Sequence, residues 1–183
     1  MTRTPRLVLD TNVVVSALLW GGRPLELLTL AAERDVRLYS SARLLAELAA
    51  TLAKPKLARA VVASGRSAKD HVADYRGLVT LVPPALHHPV SRDADDDHVI
   101  ACAFAARADC IVTRDDDLLS LGDIGGVVIR EVAAVLVPRL SFGPRQEREK
   151  ANAMAGALPP TVNAAQPWAR ELVRGDDEVD AMA

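Results

Sequence analysis

Five short apolar runs, at residues 6–9, 36–39, 78–82, 110–112 and 127–129, are separated by segments whose apolar positions recur at helical spacing. Alternation of this kind leaves a chain few ways to fold. Parallel strands need a crossover, which a helix supplies, and apolar runs without alternation need cover on both faces. The sequence therefore predicts an α/β fold with a mainly parallel sheet between helices. Residues 13–19 start a helix after Thr11-Asn12, and Gly21-Gly22 breaks it. Pro24 suits the next helix start, where Leu25, Leu28 and Ala32 follow. Ser40 or Ser41 can cap a helix whose apolar face is Leu44, Leu45, Leu48 and Leu52, and Lys54-Pro55 interrupts it. Residues 58–63 and 68–75 read as a helical pair around Gly65. Val99, Ile100, Ala103 and Phe104 mark a helix that follows an acidic cluster, and residues 132–137 a closing one. No internal repeat is present. Composition changes near Leu140, so residues 1–140 are read as one domain. Residues 141–183, with Pro144, Pro159-Pro160 and Pro167, read as a mobile tail with some helix near 145–155. Trp168, Leu172 and Val173 are the residues there able to dock a short helix on the domain or on a partner.

Four acidic stations adjoin these runs: Asp10, Glu47, the cluster at 93–97, and Asp115. Asp10 follows Leu7-Val8-Leu9, and Asp115 follows Ile111-Val112-Thr113 with one residue between. Both lie where a buried strand ends, the place where ligand sites form in open α/β sheets. Carboxylates gathered from distant segments repel one another unless a cation sits among them, and hard oxygen ligands suit Mg²⁺ or Mn²⁺. The pattern points to a metal-dependent enzyme acting on phosphate esters. Each station also has a plainer reading. Asp10 can be a helix N-cap, and Glu47 borders an apolar helix face. Acids at a helix start gain about 0.3–1 kcal/mol from the macrodipole. That gain accounts for one or two of the four acids in 93–97, not for all. Asp96 shares a helical face with Val99, Ile100 and Ala103, whereas Asp97 leans towards Ile100, Ala101 and Phe104. His98 and the pair His87-His88 read as exposed side chains rather than ligands. Asp116 and Asp117 read as the cap of a short helix starting at Leu118-Leu119.

Bulk properties narrow the classes further. The chain has 183 residues, half of them apolar, with a net charge of -2. That is enough for one ordinary core. Residues 34–76 carry nine Lys/Arg against four acids, and residues 93–117 carry eight acids against two arginines. A basic stretch beside an acidic one can guide a polyanion to bound metal. Aromatics are 3% of residues, too few for a stacking platform. Cys102 and Cys110 form no CxxC or Cys/His ligand set and read as buried free thiols of a cytoplasmic protein. The first apolar run is too short for a signal peptide and no stretch approaches the length of a membrane span, so neither is expected. A phosphatase with an aspartyl nucleophile wants a second Asp two residues after the first, where Asn12 stands here. A phosphate-receiver domain needs a phosphoacceptor Asp ending a central strand, and the run 78–82 ends in Pro83-Pro84.

The order Asp10-Thr11-Asn12, then Ser41-x-x-Leu-Leu-x-Glu47, then the acidic run with its Ile-Ala helix, then Ala108-Asp-Cys-Ile-Val-Thr-Arg-Asp-Asp-Asp-Leu-Leu119 resembles the PIN domain. It looks nearest to the toxin components of bacterial toxin–antitoxin pairs. The resemblance covers about residues 6–140; the tail lies outside the pattern. It implies a small three-layer α/β/α sandwich and Mg²⁺- or Mn²⁺-dependent hydrolysis of RNA phosphodiesters. Carried over by motif, the catalytic acids are Asp10, Glu47, Asp96 and Asp115, supported by Asn12 and Thr113. Asp96 fits the family spacing to Ala103 and Asp97 the spacing to Thr113, so the metal set reads Asp10, Asp96, Asp97 and Asp115. Arg43, Lys54 and Lys56 are candidates for RNA phosphate contacts. An antitoxin partner and a homodimer are expected from the same likeness. The competing expectation is an inert PIN fold that binds RNA or protein.

Overall fold

The computed structural model describes residues 3–83 and 94–136, with the backbone alone for 94–96. Strand β1 (Arg6–Leu9) lies at the centre of a six-stranded sheet. Helices α1 (Thr11–Trp20) and α2 (Gly22–Ala32) follow it. Gly21 and Gly22, with φ of 71° and 64°, adopt a backbone that L side chains disfavour, and α1 and α2 meet there at 97°. Next come β2 (Arg37–Ser41) and α3 (Ala42–Leu52), which Ser41 caps by accepting from the Leu44 amide at 3.2 Å. A 3₁₀ turn at Pro55–Leu57 leads to α4 (Ala58–Ala63) and α5 (Ala68–Leu78), the latter opened by a Ser67–Asp70 capping box. Strand β3 (Val79–Val82), α6 (Ala94–Ala105), β4 (Cys110–Val112) and α7 (Asp116–Leu121) follow. The described chain closes with β5 (Asp123–Ile124), β6 (Val127–Arg130) and α8 (Val132–Val135).

The sheet order is β3-β2-β1-β4-β6-β5, parallel except for the β5–β6 pair. Alternate residues along each strand feed two cores. Leu7, Leu9, Leu38, Cys110 and Val112 meet α1, α2, α3, α5 and α8, while Val8, Tyr39, Ile111, Val127 and Ile129 meet α6 and α7. These layers make the predicted α/β/α sandwich. Asp109, 1% exposed, ties the entry of β4 to β1 by pairing with Arg3 and accepting the Arg6 amide at 2.9 Å.

Three local features differ from the sequence reading. Strand β5 was not foreseen. It exists because Gly125-Gly126, at φ 55° and 80°, closes a two-residue hairpin that pairs Ile124 with Val127. Helix α6 begins at Ala94, so Asp95, Asp96 and Asp97 of the acidic run lie within its first turn rather than before it. The cap of α7 is Asp115, not Asp116 or Asp117. Both cysteines are buried and free, as expected. No single helix among the described residues is long and apolar enough to cross a membrane. The tail expected over 141–183 lies outside the described residues, as does the pair His87-His88.

Candidate active site

The first crossovers carry the chain from β1 to β2 to β3 on one side, and the next strand, β4, returns to the other side of β1. Connections that diverge from neighbouring strands leave a crevice at their carboxyl ends, and here that crevice lies between β1 and β4. Register then decides what fills it. Leu9 pairs with Val112, so the next residues, Asp10 and Thr113, lie side by side. Both follow residues that point into the first core, so both turn towards the α6 face.

The Thr113 hydroxyl, fully buried, donates to Asp10 Oδ2 at 2.6 Å and accepts the Asp115 amide at 3.0 Å. Asn12 Nδ2 donates to the same Asp10 oxygen at 2.6 Å. Asp10 occupies the N-cap position of α1 yet makes no side-chain capping bond to it, so the plain capping reading fails for this residue. Asp115 does cap a helix, its Oδ1 accepting from the Asp117 and Leu118 amides at 2.8 and 3.3 Å. Burial lifts the Asp10 pKa above its ordinary 3.8, and the charge of Asp115 adds to the rise. The Thr113 hydroxyl, the Thr11 amide and the Asn12 side chain pull the other way.

Two further residues, missed in the sequence, brace this centre. Ser16 Oγ donates to the Asn12 carbonyl at 2.8 Å, and Arg114 donates to Ser16 Oγ at 3.3 Å. The i, i+4 spacing of Asn12 and Ser16 was the available signal. The remaining acids named from the sequence lie on α3 and α6. Asp97, 6% exposed, lies in the first turn of α6. The helix feeds β4 and so starts at the carboxyl edge of the parallel strands. The side chain of Asp96 is outside the described residues. Glu47 is half-buried on α3, and His98 is half-buried on α6. Arg43 is exposed in the first turn of α3, whereas Lys54 and Lys56 are exposed at its far end. By helical rise the two groups stand roughly 16 Å apart along the axis.

Among the described residues no three His, Cys, Asp or Glu side chains are grouped to hold a metal. The chemistry of the donors at β1 and β4 nonetheless fits a divalent ion: two carboxylates, both hard oxygen ligands, on residues each tied to the Thr113 hydroxyl. The Asp10–Asp115 repulsion that raises the Asp10 pKa is what such a charge would offset.

No curated protein matches the chain. A family model for the PIN domain matches residues 6–117, a span that runs from β1 into α7 and includes every acid named above. The chain therefore belongs to the PIN-domain family, whose members are generally nucleases that use divalent metal ions.

Proposed function

We propose that the chain is a Mg²⁺- or Mn²⁺-dependent endoribonuclease. The observation that carries this reading is the Asp10–Thr113–Asp115 arrangement at the carboxyl ends of two central strands, inside a PIN domain. In this reading Asp10, Asp115 and an acid of the α6 start, Asp96 or Asp97, hold the ion. Glu47 orients or deprotonates the attacking water. The bound ion would supply charge neutralisation at the phosphoryl oxygens and a lowered pKa for water. Thr113 and Asn12 keep the Asp10 carboxylate in one orientation, and Thr113 fixes the loop that bears Asp115. No serine, cysteine or histidine nucleophile is needed. The basic stretch 34–76, including Arg43 in the first turn of α3, would draw in the polyanion.

We infer residues 1–140 as the nuclease unit, acting in the cytoplasm as the toxin of a toxin–antitoxin pair, as a homodimer restrained by an antitoxin. The buried free thiols suit a reducing compartment. The test is cleavage of a structured RNA panel by wild type and Asp10→Asn, with Mg²⁺, Mn²⁺ or EDTA. Cleavage lost on both substitution and chelation supports the nuclease. Equal behaviour of the two proteins at high concentration would transfer the reading to an inert RNA- or protein-binding module.

A further inference from the structure

Helices α3 and α5 pack side by side on one face of the sheet and leave a shallow groove of about 410 Å³ open to solvent. Its floor is apolar, with Leu45 and Ala49 from α3 and Val72 and Ala73 from α5; Lys69 and Arg76 also line it. Small alanines on both helices are what make room for a bulky incoming side chain. Both cations are exposed, and neither meets a carboxylate among the described residues. Lys69 stands in the first turn of α5, where the helix dipole disfavours a positive charge. An acidic partner would relieve that mismatch.

The chain carries a segment of matching chemistry. Residues 168–183 hold five acids (Glu171, Asp176, Asp177, Glu178, Asp180) against two arginines, and Trp168, Leu172, Val179 and Met182 recur at helical spacing. The last described helix, α8, packs on α2, and α2 packs on α5. The chain thus leaves the domain on the same face of the sheet as the groove. From β6 to β3 is four strand spacings, roughly 19 Å. The intervening residues, 137–167, can span several times that distance when extended, on the order of 100 Å.

We propose that residues 168–183 dock in cis into the α3–α5 groove, their apolar side on Leu45, Ala49, Val72 and Ala73 and their acids beside Lys69 and Arg76. This is a helix-in-groove contact, in which apolar anchors give affinity and charges fix orientation.

The chain has two tryptophans, Trp20 and Trp168, and Trp20 is 62% exposed. The full-length Trp20→Phe protein therefore reports on Trp168 alone. Acrylamide quenching of that protein at low salt is expected to be at least threefold weaker than in the same chain unfolded in guanidinium. Lys69→Glu with Arg76→Glu, and separately Ala49→Arg to fill the groove, should each restore strong quenching without changing the far-UV spectrum. All three substitutions sit at exposed positions, so the domain should tolerate them. Trp168 quenched as in the unfolded chain would overturn the proposal. So would protection that ignores both groove variants, or protection lost on dilution, which would mean that a second copy supplies the segment.

Discussion

Thr113→Val tests whether the centre of the site is built as described. The side chain is fully buried, and valine has nearly its shape, so the change removes two hydrogen bonds without opening a cavity. The lost O–H···Oδ2 bond to Asp10 goes to a charged acceptor and nets about 1.5–3 kcal/mol; the Asp115 amide bond is neutral and nets about 0.5–1.5 kcal/mol. A buried methyl returns about 0.8 kcal/mol. The expected loss at neutral pH is therefore about 1.2–3.7 kcal/mol, or roughly 2–15 °C in Tm for a chain of this size.

The charged share of that loss depends on pH. Burial and Asp115 hold the Asp10 pKa above 3.8, and the Thr113 bond partly counters them. The hydroxyl stabilises the ionised carboxylate most, so its extra contribution is complete above the folded pKa of Asp10. That contribution is lost as pH falls through the same value. Urea unfolding in EDTA, from pH 7 down towards about pH 4, should show the Thr113→Val penalty shrinking. Thr113→Ser, which keeps the hydroxyl, should follow wild type in its pH dependence. A penalty below about 1 kcal/mol at neutral pH, or one that is flat with pH, would refute the described role of Thr113.

Asp10→Asn should melt above wild type in EDTA at neutral pH. Ionising a carboxyl whose folded pKa is raised costs stability, a cost that is absent below pH 3.8 and complete above the folded value. Added Mn²⁺ should raise the Tm of wild type but not of this variant, and a rise in both would place ion binding elsewhere. Asp115→Ala should lose about 1 kcal/mol through the α7 cap, whereas Asp115→Asn keeps that within a few tenths; both should lose RNA cleavage. Denaturant midpoints and cleavage assays together separate the two roles. Gly125→Ala would set a Cβ 2.7 Å from Phe104 Cε1 at φ 55°, and a loss of about 1–3 kcal/mol is expected. Phe104→Leu in the same chain should recover part of it, and no recovery would put the strain in the backbone.

Most of the fold was legible because periodicity and punctuation agree in this sequence. The run Arg6–Leu9 is a strand as read, Gly21-Gly22 breaks the helix, and Ser41 caps α3. Strand β5 escaped because two residues carry no periodicity; Gly125-Gly126 was the cue, and only turn chemistry reads it. The start of α6 was set late because a run of like charges looks like a loop. The first turn of a helix is nevertheless where acids are best tolerated. Sequence also could not assign the caps. Asp10 and Asp115 each stand at a strand end before a helix, and only geometry reveals that one caps while the other does not.

That difference bears on the chemistry. A capping carboxylate is held by its own helix, and Asp115 is fixed in this way through Oδ1 by two amides. Asp10 is fixed instead through Oδ2 by the side chains of Thr113 and Asn12, and burial lifts its pKa even with those bonds made. The chain holds a desolvated acid beside a second acid, both immobilised, and spends stability to do so. Local rules are broken where function needs it. A cation placed between the two carboxylates would offset both the burial and the repulsion without moving either. The same reasoning makes Asn12 and Thr113 positioning residues rather than ligands. Their bonds cancel part of the penalty on Asp10 and hold its orientation, so removing either should weaken ion binding as well as the fold.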